Sequence, residues 1–460
     1  MKTRVIHHTT YGFPLDPMFF GQTFVIGDHT KNSSLETAVS TLHKDTMNDF
    51  DLFQLDRKLA FQKFFTKLIK GNIHHEMWKA SEIKDSEDKE RFFGLQTAQN
   101  GRSDYMKLFL EWVEDSRLAL AFHYFKWNHF GLDELKRRYG NKTKVYLHLH
   151  CMAEMYFGNL NRAELSGNKN ERRDRLHRSI DSVNPTFVAV SDAVKRSFMQ
   201  HNLIPEERIV VVKNGVSSDL YNIVSDDAKQ NFRRDLRINA SKLVGYVGRI
   251  SPEKGSAMLL SLLRHYEKNP ADIGFVIASS NGEHMDRFIQ DVQRYAPTLI
   301  EQDKLKFCVD VSKLTAGLYS RDKEVSEFFL DRFTQKGIVG SKLFVDAISI
   351  PLQPYLDVYL QPSNSEALSL SVLEAIMSGI PVIASNVGGL PEIVSHNNGN
   401  LIDVDGRAGR VVMRDFVDSI EYWINNPMDS AYAQEIRSHL IRAGFDAKTM
   451  AKKLDEVYQH

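Results

Sequence analysis

Two glutamates and two cations stand where the chain could hold a ligand bearing both phosphate and hydroxyl groups. Glu366 and Glu374 bracket a small-residue stretch, Ala367-Leu368-Ser369-Leu370, which runs into a helical pattern closed by Gly379-Ile380-Pro381. Unpaired N–H groups at a helix start, with the positive end of its dipole, favour phosphate. Carboxylates beside them accept hydrogen bonds from hydroxyls, so the stretch suits a sugar nucleotide. Ser371 with Glu374 three residues on matches a capping box, which predicts a helix from about 369–371 to Ser378. Gly379 suits the C′ position, and Pro381 bars continuation. A Glu-x7-Glu spacing is equally what ordinary capping or surface glutamates would show.

A second run adds positive charge. Leu243-Val244-Gly245-Tyr246-Val247-Gly248 reads as a buried strand ending in glycine, followed by Arg249 and the loop Ile250-Ser251-Pro252-Glu253-Lys254-Gly255. Ligands of open α/β sheets bind beyond the carboxyl ends of strands. Two cations five residues apart there can neutralise a diphosphate and the charge that develops as it leaves. The plain alternative is a solvated Arg and Lys on a surface loop. In the first half, Tyr146-Leu147-His148-Leu149-His150 puts two histidines on one face of a predicted strand. His150 at its carboxyl end is the catalytic candidate; a zinc pair, for which no third ligand is evident, and a structural histidine are the alternatives. Asp49-Phe50-Asp51 and Asp403-Val404-Asp405 spell Asp-x-Asp, a short acidic pair that can hold a metal. Arg249 and Lys254 already offer the charge a metal would bring, so no metal is expected.

The elements that must position these residues follow an α/β alternation. Strands are predicted at 4–7, 145–150, 187–190, 209–212, 243–247, 274–278, 306–309, 358–361, 382–384 and 400–402, with helical patterns between most of them. That alternation argues a mostly parallel sheet covered by helices. The aromatic-rich segment Lys107–Trp127 reads as helical, and Phe445–Tyr458 as an amphipathic helix with Asp446 as a candidate N-cap. A boundary is expected at Asn214-Gly215-Val216, dividing the chain into 1–215, 216–440 and a terminal helix 441–460 that packs on the first domain.

The whole-chain properties fit. The 460 residues are enough for two or three domains, and the equal counts of 59 basic and 59 acidic residues give no global charge for nucleic acid. Two cysteines, Cys151 and Cys308, exclude a disulfide framework and suit a reducing compartment. No run approaches the roughly 20 apolar residues that span a bilayer, and the start lacks the apolar core of a signal peptide. A cytoplasmic protein is expected, with peripheral contact at the inner membrane face as the alternative. Phe61, Phe64, Phe65, Leu68 and Ile69 form a stripe flanked by lysines, which reads as a core face, with a membrane-surface helix as the alternative.

Several of these runs, in this order, carry a resemblance. Val190-Ser191, Asn214-Gly215-Val216, Gly248-Arg249, Lys254-Gly255, Pro362-Ser363 to Glu366, Glu374-Ala375, Gly379-Ile380-Pro381-Val382, Gly388-Gly389 and Pro391-Glu392-Ile393-Val394 resemble the retaining glycosyltransferases of family four. The resemblance covers about residues 185–400. It implies a GT-B fold, two Rossmann-like domains facing across a cleft, with the acceptor mainly on the first and the donor on the second. It implies that Arg249 and Lys254 hold the donor diphosphate, that Glu366 contacts hydroxyls of the transferred sugar, and that Glu374 contacts the nucleotide ribose. Backbone amides from Ala367 through Leu368 and Ser369 to Leu370 would touch sugar and phosphate, and His150 matches the family's cleft histidine.

The first half departs from the family pattern. The usual Gly-Gly loop after the first strand is missing; Gly12, or else Gly21, is the candidate to replace it near the donor phosphate. Residues 312–340 read as an insertion. The expected substrates are a nucleotide-diphosphate sugar, UDP-linked, with GDP- and ADP-linked donors open, and a glycan, lipid-linked saccharide or protein acceptor. No separate cofactor is expected. A nucleotide-sugar 2-epimerase of the same architecture and a non-catalytic partner subunit are the competing readings.

Overall fold

The computed structural model describes residues 2–10, 25, 28–29, 32–42, 50–55, 78–79, 116–123, 143–157, 184–279, 285–308 and 351–460. Gly12 and Gly21, Asp49, the 61–69 stripe and the 312–340 stretch lie outside them. The chain divides into two compact units, Met1–Asn214 with Ala447–His460, and Gly215–Asp446. No helix among the described residues is long and apolar enough to cross a membrane.

Among the described residues, the first unit holds an eight-stranded sheet. Its strands are β1 (Lys2–Thr10), β2 (Glu36–Leu42), β3 (Phe50–Leu55), β4 (Trp78–Lys79), β5 (Ser116–Phe122), β6 (Thr143–Leu149), β7 (Thr186–Ala189) and β8 (Ile209–Val211), ordered β4-β3-β2-β1-β5-β6-β7-β8. All pairings are parallel except β2 with β3 and β3 with β4. Helices α1 (Ala153–Phe157) and α2 (Asp192–Gln200) follow β6 and β7. Ser191 caps α2 by accepting from the Val194 N–H. The strand β5 corrects the helical reading of Lys107–Trp127. Ala119, Leu120 and Ala121 are all buried, so both faces of β5 are covered. A short apolar run covered on both faces lacks the alternation that marks a half-exposed strand, and looks like part of a helix.

The described residues of the second unit form a six-stranded, all-parallel sheet: β9 (Lys242–Val247), β10 (Ile273–Ala278), β11 (Leu305–Cys308), β12 (Val358–Gln361), β13 (Val382–Ser385) and β14 (Gly399–Ile402), ordered β11-β10-β9-β12-β13-β14. Numbered within the unit this is 3-2-1-4-5-6, the doubly wound nucleotide-binding order. Its described helices are α3 (Asp226–Asp235), α4 (Ser256–Lys268), α5 (Met285–Tyr295), α6 (Pro297–Glu301), α7 (Leu370–Met377), α8 (Gly409–Asn425) and α9 (Ser430–Arg442). Strands β10, β11, β12 and β13 are buried at every position, as continuous Val/Ile/Leu/Phe runs require. The chain then returns to the first unit as α10 (Ala447–Gln459), which lies against β1 and whose Val457 carbonyl accepts from the Tyr146 hydroxyl.

Candidate functional site

The strand order makes β9 and β12 neighbours, and it is between them that the sheet reverses its winding. A crevice opens at such a switch point because the two following connections leave to opposite faces. The Arg249–Gly255 loop leaves β9 there, and the Pro362–Ser369 loop leaves β12.

The two loops are locked together through backbone. Asn364 N–H donates to the Glu253 carbonyl at 2.8 Å, and its amide side chain donates to the Pro252 carbonyl at 2.7 Å. Gly255 has φ +76, and a Cβ placed there would meet the Pro362 carbonyl oxygen at 1.7 Å. Only glycine permits both the conformation and the approach. On the other side, Gly388 has φ +53 and would put a Cβ 1.7 Å from the Glu366 carbonyl oxygen, which also accepts from the Gly389 N–H.

This frame brings two of the predicted side chains together. Lys254 Nζ donates to Glu366 Oε1 at 2.8 Å. Gln361 Nε2 and Ser363 Oγ reach the same oxygen, each at 2.8 Å. Three donors on one oxygen hold the Glu366 carboxylate, only 6% exposed, in a fixed orientation. Arg249 is turned along its own loop, paired with Glu253. The Arg249 carbonyl accepts from the Tyr246 hydroxyl at 2.7 Å. Burial, followed by the nearby Glu366, pushes the Tyr246 phenol far above its ordinary range, so it remains a donor.

Helix α7 begins two residues earlier than a capping box at Ser371 and Glu374 requires. Ser369 is the N-cap, its hydroxyl accepting from the Val372 N–H. Ser371 therefore lies inside the first turn, where its hydroxyl meets Ser369 and Gln361. Glu374 is fully within the helix, 2% exposed, and takes a 2.7 Å bond from Gln353. Tertiary hydrogen bonding thus claims a carboxylate that the local spacing assigned to a cap. The predicted stop holds: Ser378 is the C-cap and Gly379 has φ +74. Ala367, Leu368 and Ser369 precede the helix and Leu370 opens it, with Ala367 and Leu368 both buried. Asp403 and Asp405 are exposed beyond β14, and Asp403 Oδ1 accepts from Asn386, a loop-closing contact.

In the first unit His150 lies just beyond β6 in a cluster the sequence did not reveal. His7 on β1 and His123 after β5 are fully buried beside it, and His29 is fully buried next to His7. His123 Nδ1 and His150 Nε2 are 3.0 Å apart, and His148 packs on His123 with ring centroids 4.1 Å apart. His123 supplies the third imidazole that a metal at His148 and His150 lacked in the sequence; one ring nitrogen from each of the three lies within 4.8 Å of the others. Yet the rings of His123 and His148 are tilted by only 28° and those of His148 and His150 by 17°. Lone pairs lie in the ring planes, so nearly parallel stacked rings do not converge them on one ion at the roughly 2 Å a metal needs.

Burial, reinforced by neighbouring imidazoles, holds His7, His123 and His148 well below the usual imidazole range, and burial alone brings His150 to about 4. The unfolded chain, with histidines near 6.5, therefore binds more protons than the folded one between about pH 6.5 and 4. Stability of the first unit is full above that window and falls as pH drops through it. Melting temperature measured from pH 8 to 4.5 should decline below pH 6.5, and less steeply in His123→Gln. A profile flat to pH 4.5 contradicts the buried neutral cluster.

Gln361, Ser363, His7, His29 and His123 were missed by sequence reasoning. His123 alone carried a usable signal: it ends an apolar run, as His150 does, once that run is read as a strand.

The chain is similar to several known proteins. Residues 344–445 match the family model described as glycosyl transferases group 1. An uncharacterized glycosyltransferase of Methanocaldococcus jannaschii is 29% identical over 212 residues, covering 45% of this chain and 44% of that protein. The D-inositol 3-phosphate glycosyltransferase of Corynebacterium glutamicum (strain R) is 26% identical over 215 residues, covering 46% and 43%. The chain thus spans about half the length of the curated relatives it matches. The crystal structure of Anabaena HepE in complex with UDP is similar over 100% of both chains, with a TM-score of 0.57 at 17% identity. The fold is GT-B.

Proposed function

We propose that the protein is a retaining glycosyltransferase of the family-four type, cytoplasmic, moving a hexosyl group from a nucleoside-diphosphate sugar, UDP-linked, to a glycan, lipid-linked saccharide or protein acceptor. One observation carries the reading. The Arg249–Gly255 and Pro362–Ser369 loops leave the two strands that flank the switch point and are interlocked, so that Lys254 meets Glu366. A UDP complex of a neighbour with the same fold supports the choice of donor.

In this reading Arg249 and Lys254 take the diphosphate, assisted by the amides of 367–370 at the start of α7. Arg249 exchanges Glu253 for phosphate, and Lys254 lies between phosphate and Glu366. Glu366, held through Oε1, offers Oε2 to a sugar hydroxyl. Glu374 is assigned to the ribose, oriented by Gln353. A carboxylate engaged by Lys254, Gln361 and Ser363 is a weak nucleophile, which favours attack from the same face as departure. The bond from the sugar's anomeric carbon to the β-phosphate oxygen breaks, the acceptor oxygen bonds to that carbon, and the acceptor's proton passes to the departing phosphate. The first unit is assigned to the acceptor, with His150 contacting sugar hydroxyls.

Thermal shift across nucleotide sugars checks the donor, since a ligand of the native state raises its stability. A UDP-sugar should raise the melting temperature, and transfer should require an added acceptor. An epimerised nucleotide sugar formed from donor alone would replace this reading by the isomerase. Turnover regained only with a second protein would make the chain a partner subunit.

A further inference from the structure

The histidines of the first unit form one continuous hydrogen-bonded line. His150 Nε2 meets His123 Nδ1 at 3.0 Å. His123 Nε2 meets His7 Nδ1 at 2.8 Å, His7 Nε2 meets His29 Nδ1 at 2.8 Å, and His29 Nε2 meets Asp455 Oδ1 at 2.9 Å. Every link joins an Nε2 to the next group, and each neutral imidazole has one N–H and one lone pair. One end of the line is therefore enough to set every tautomer in it.

That end is Asp455 on α10. Its Oδ1 faces His29 and the Ser33 hydroxyl, and its Oδ2 takes the Ser34 N–H and hydroxyl. Burial works against its ionisation, but the bonds from His29, Ser33 and Ser34 outweigh it and hold the carboxyl at about 2. An ionised carboxylate only accepts, so a His29 that carries one proton must place it on Nε2. His29 Nδ1 then accepts from His7, His7 Nδ1 from His123, and His123 Nδ1 from His150.

We infer that Asp455 is a positioning residue that acts through three imidazoles to fix His150 as its Nε2–H tautomer, presenting Nδ1 as a hydrogen-bond acceptor. His150 keeps partial exposure while His7, His29 and His123 are fully buried, so the acceptor belongs to the one ring of the line that is not fully buried. Among the described residues, the other titratable groups facing the line are His148, stacked on His123, and Tyr458, whose hydroxyl is 2.7 Å from His148 Nε2. Neither interrupts the line. The line also has a second state. A proton taken at His150 Nδ1 releases the Nε2 proton to His123 Nδ1, and the same exchange repeats through His7 to His29. His29 then carries both protons against Asp455, and His150 becomes an Nδ1–H donor. The four neutral rings become three neutral rings and one imidazolium, with the charge moved to its counter-ion. The bearing on transfer rests on the proposed role of His150; the tautomer does not.

Asp455→Asn inverts the line for a reason the structure supplies. The Ser34 backbone N–H can only donate, so the amide must keep its oxygen at the Oδ2 position and turn its NH₂ toward His29. His29 must then hold its proton on Nδ1, and the reversal runs to His150. The test is nitrogen-15 NMR of histidine-labelled full-length protein at pH 8.5, with His150 assigned by His150→Gln. The wild type is expected to show His150 with Nδ1 unprotonated, and Asp455→Asn to show it with Nδ1 protonated. His7→Gln, which cuts the line, should leave the His29 tautomer unchanged while releasing that of His150, and serves if Asp455→Asn does not fold. A wild-type His150 protonated on Nδ1, or a His150 tautomer unmoved by both substitutions, overturns the inference. So does stoichiometric zinc bound by His123, His148 and His150 in the purified protein. Failure of the donor assignment would leave these spectra as expected, so the two are separable.

Discussion

The Arg249→Ala/Lys254→Ala double variant should lose transfer by roughly 10⁴-fold, and each single variant by about 10²–10³-fold, the loss typical of one electrostatic donor at developing charge. UDP binding should weaken in parallel, because the proposed reading has both cations act on the diphosphate in the bound donor and the departing product alike. Arg249→Lys should recover only part of the loss, since an ammonium cannot reproduce a two-pronged guanidinium contact. The fold should survive. Among the described residues Arg249 pairs along its own loop, with Glu253, and Glu366 keeps Gln361 and Ser363 when Lys254 is removed. The stability cost of Lys254→Ala should be about 1–2 kcal/mol, that of a carboxylate left with neutral donors. Initial rates, UDP titration and circular dichroism on the same preparations check this. Wild-type rates in the double variant refute the assignment.

Gly388→Ala should be nearly as damaging although it touches no ligand. Its Cβ would lie 1.7 Å from the Glu366 carbonyl oxygen at φ +53, so the backbone carrying Glu366 must move. A displacement near 1 Å in a positioning group costs about 10²-fold in rate. Gly406 is the matched control: its φ is +67, and a Cβ there meets nothing within 4 Å. Gly406→Ala should cost only the conformational penalty, about 1–2 kcal/mol, with transfer unchanged. Equal activity in the two variants would mean that the Gly388 approach does not position Glu366.

The second unit was legible in sequence because its signals are local. Buried parallel strands are short Val/Ile/Leu runs closed by turns, and Gly248-Arg249, Lys254-Gly255 and Gly388-Gly389 mark the loops directly. What the sequence could not show is which loops touch. The Lys254–Glu366 pair spans 112 positions, and it depends on β9 and β12 being neighbours while β10 and β11 lie on the far side of β9. Glu374 shows the same limit on a smaller scale: a capping-box spacing identifies a helix start, yet Gln353 decides where the carboxylate goes. The first unit was less legible. Strand β5 lacks alternation, and its histidine line joins His7 to His123 and His29 to Asp455, which no periodicity connects.

The central claim is that the diphosphate sits at the switch point of residues 215–446. A crystal structure of the protein with UDP tests it most directly. The expected result is a diphosphate against Arg249, Lys254 and the amides of 367–370, with Arg249 released from Glu253 and the ribose at Glu374. UDP bound by residues 1–214 alone, or in the second unit with its phosphates away from Arg249 and Lys254, would contradict it.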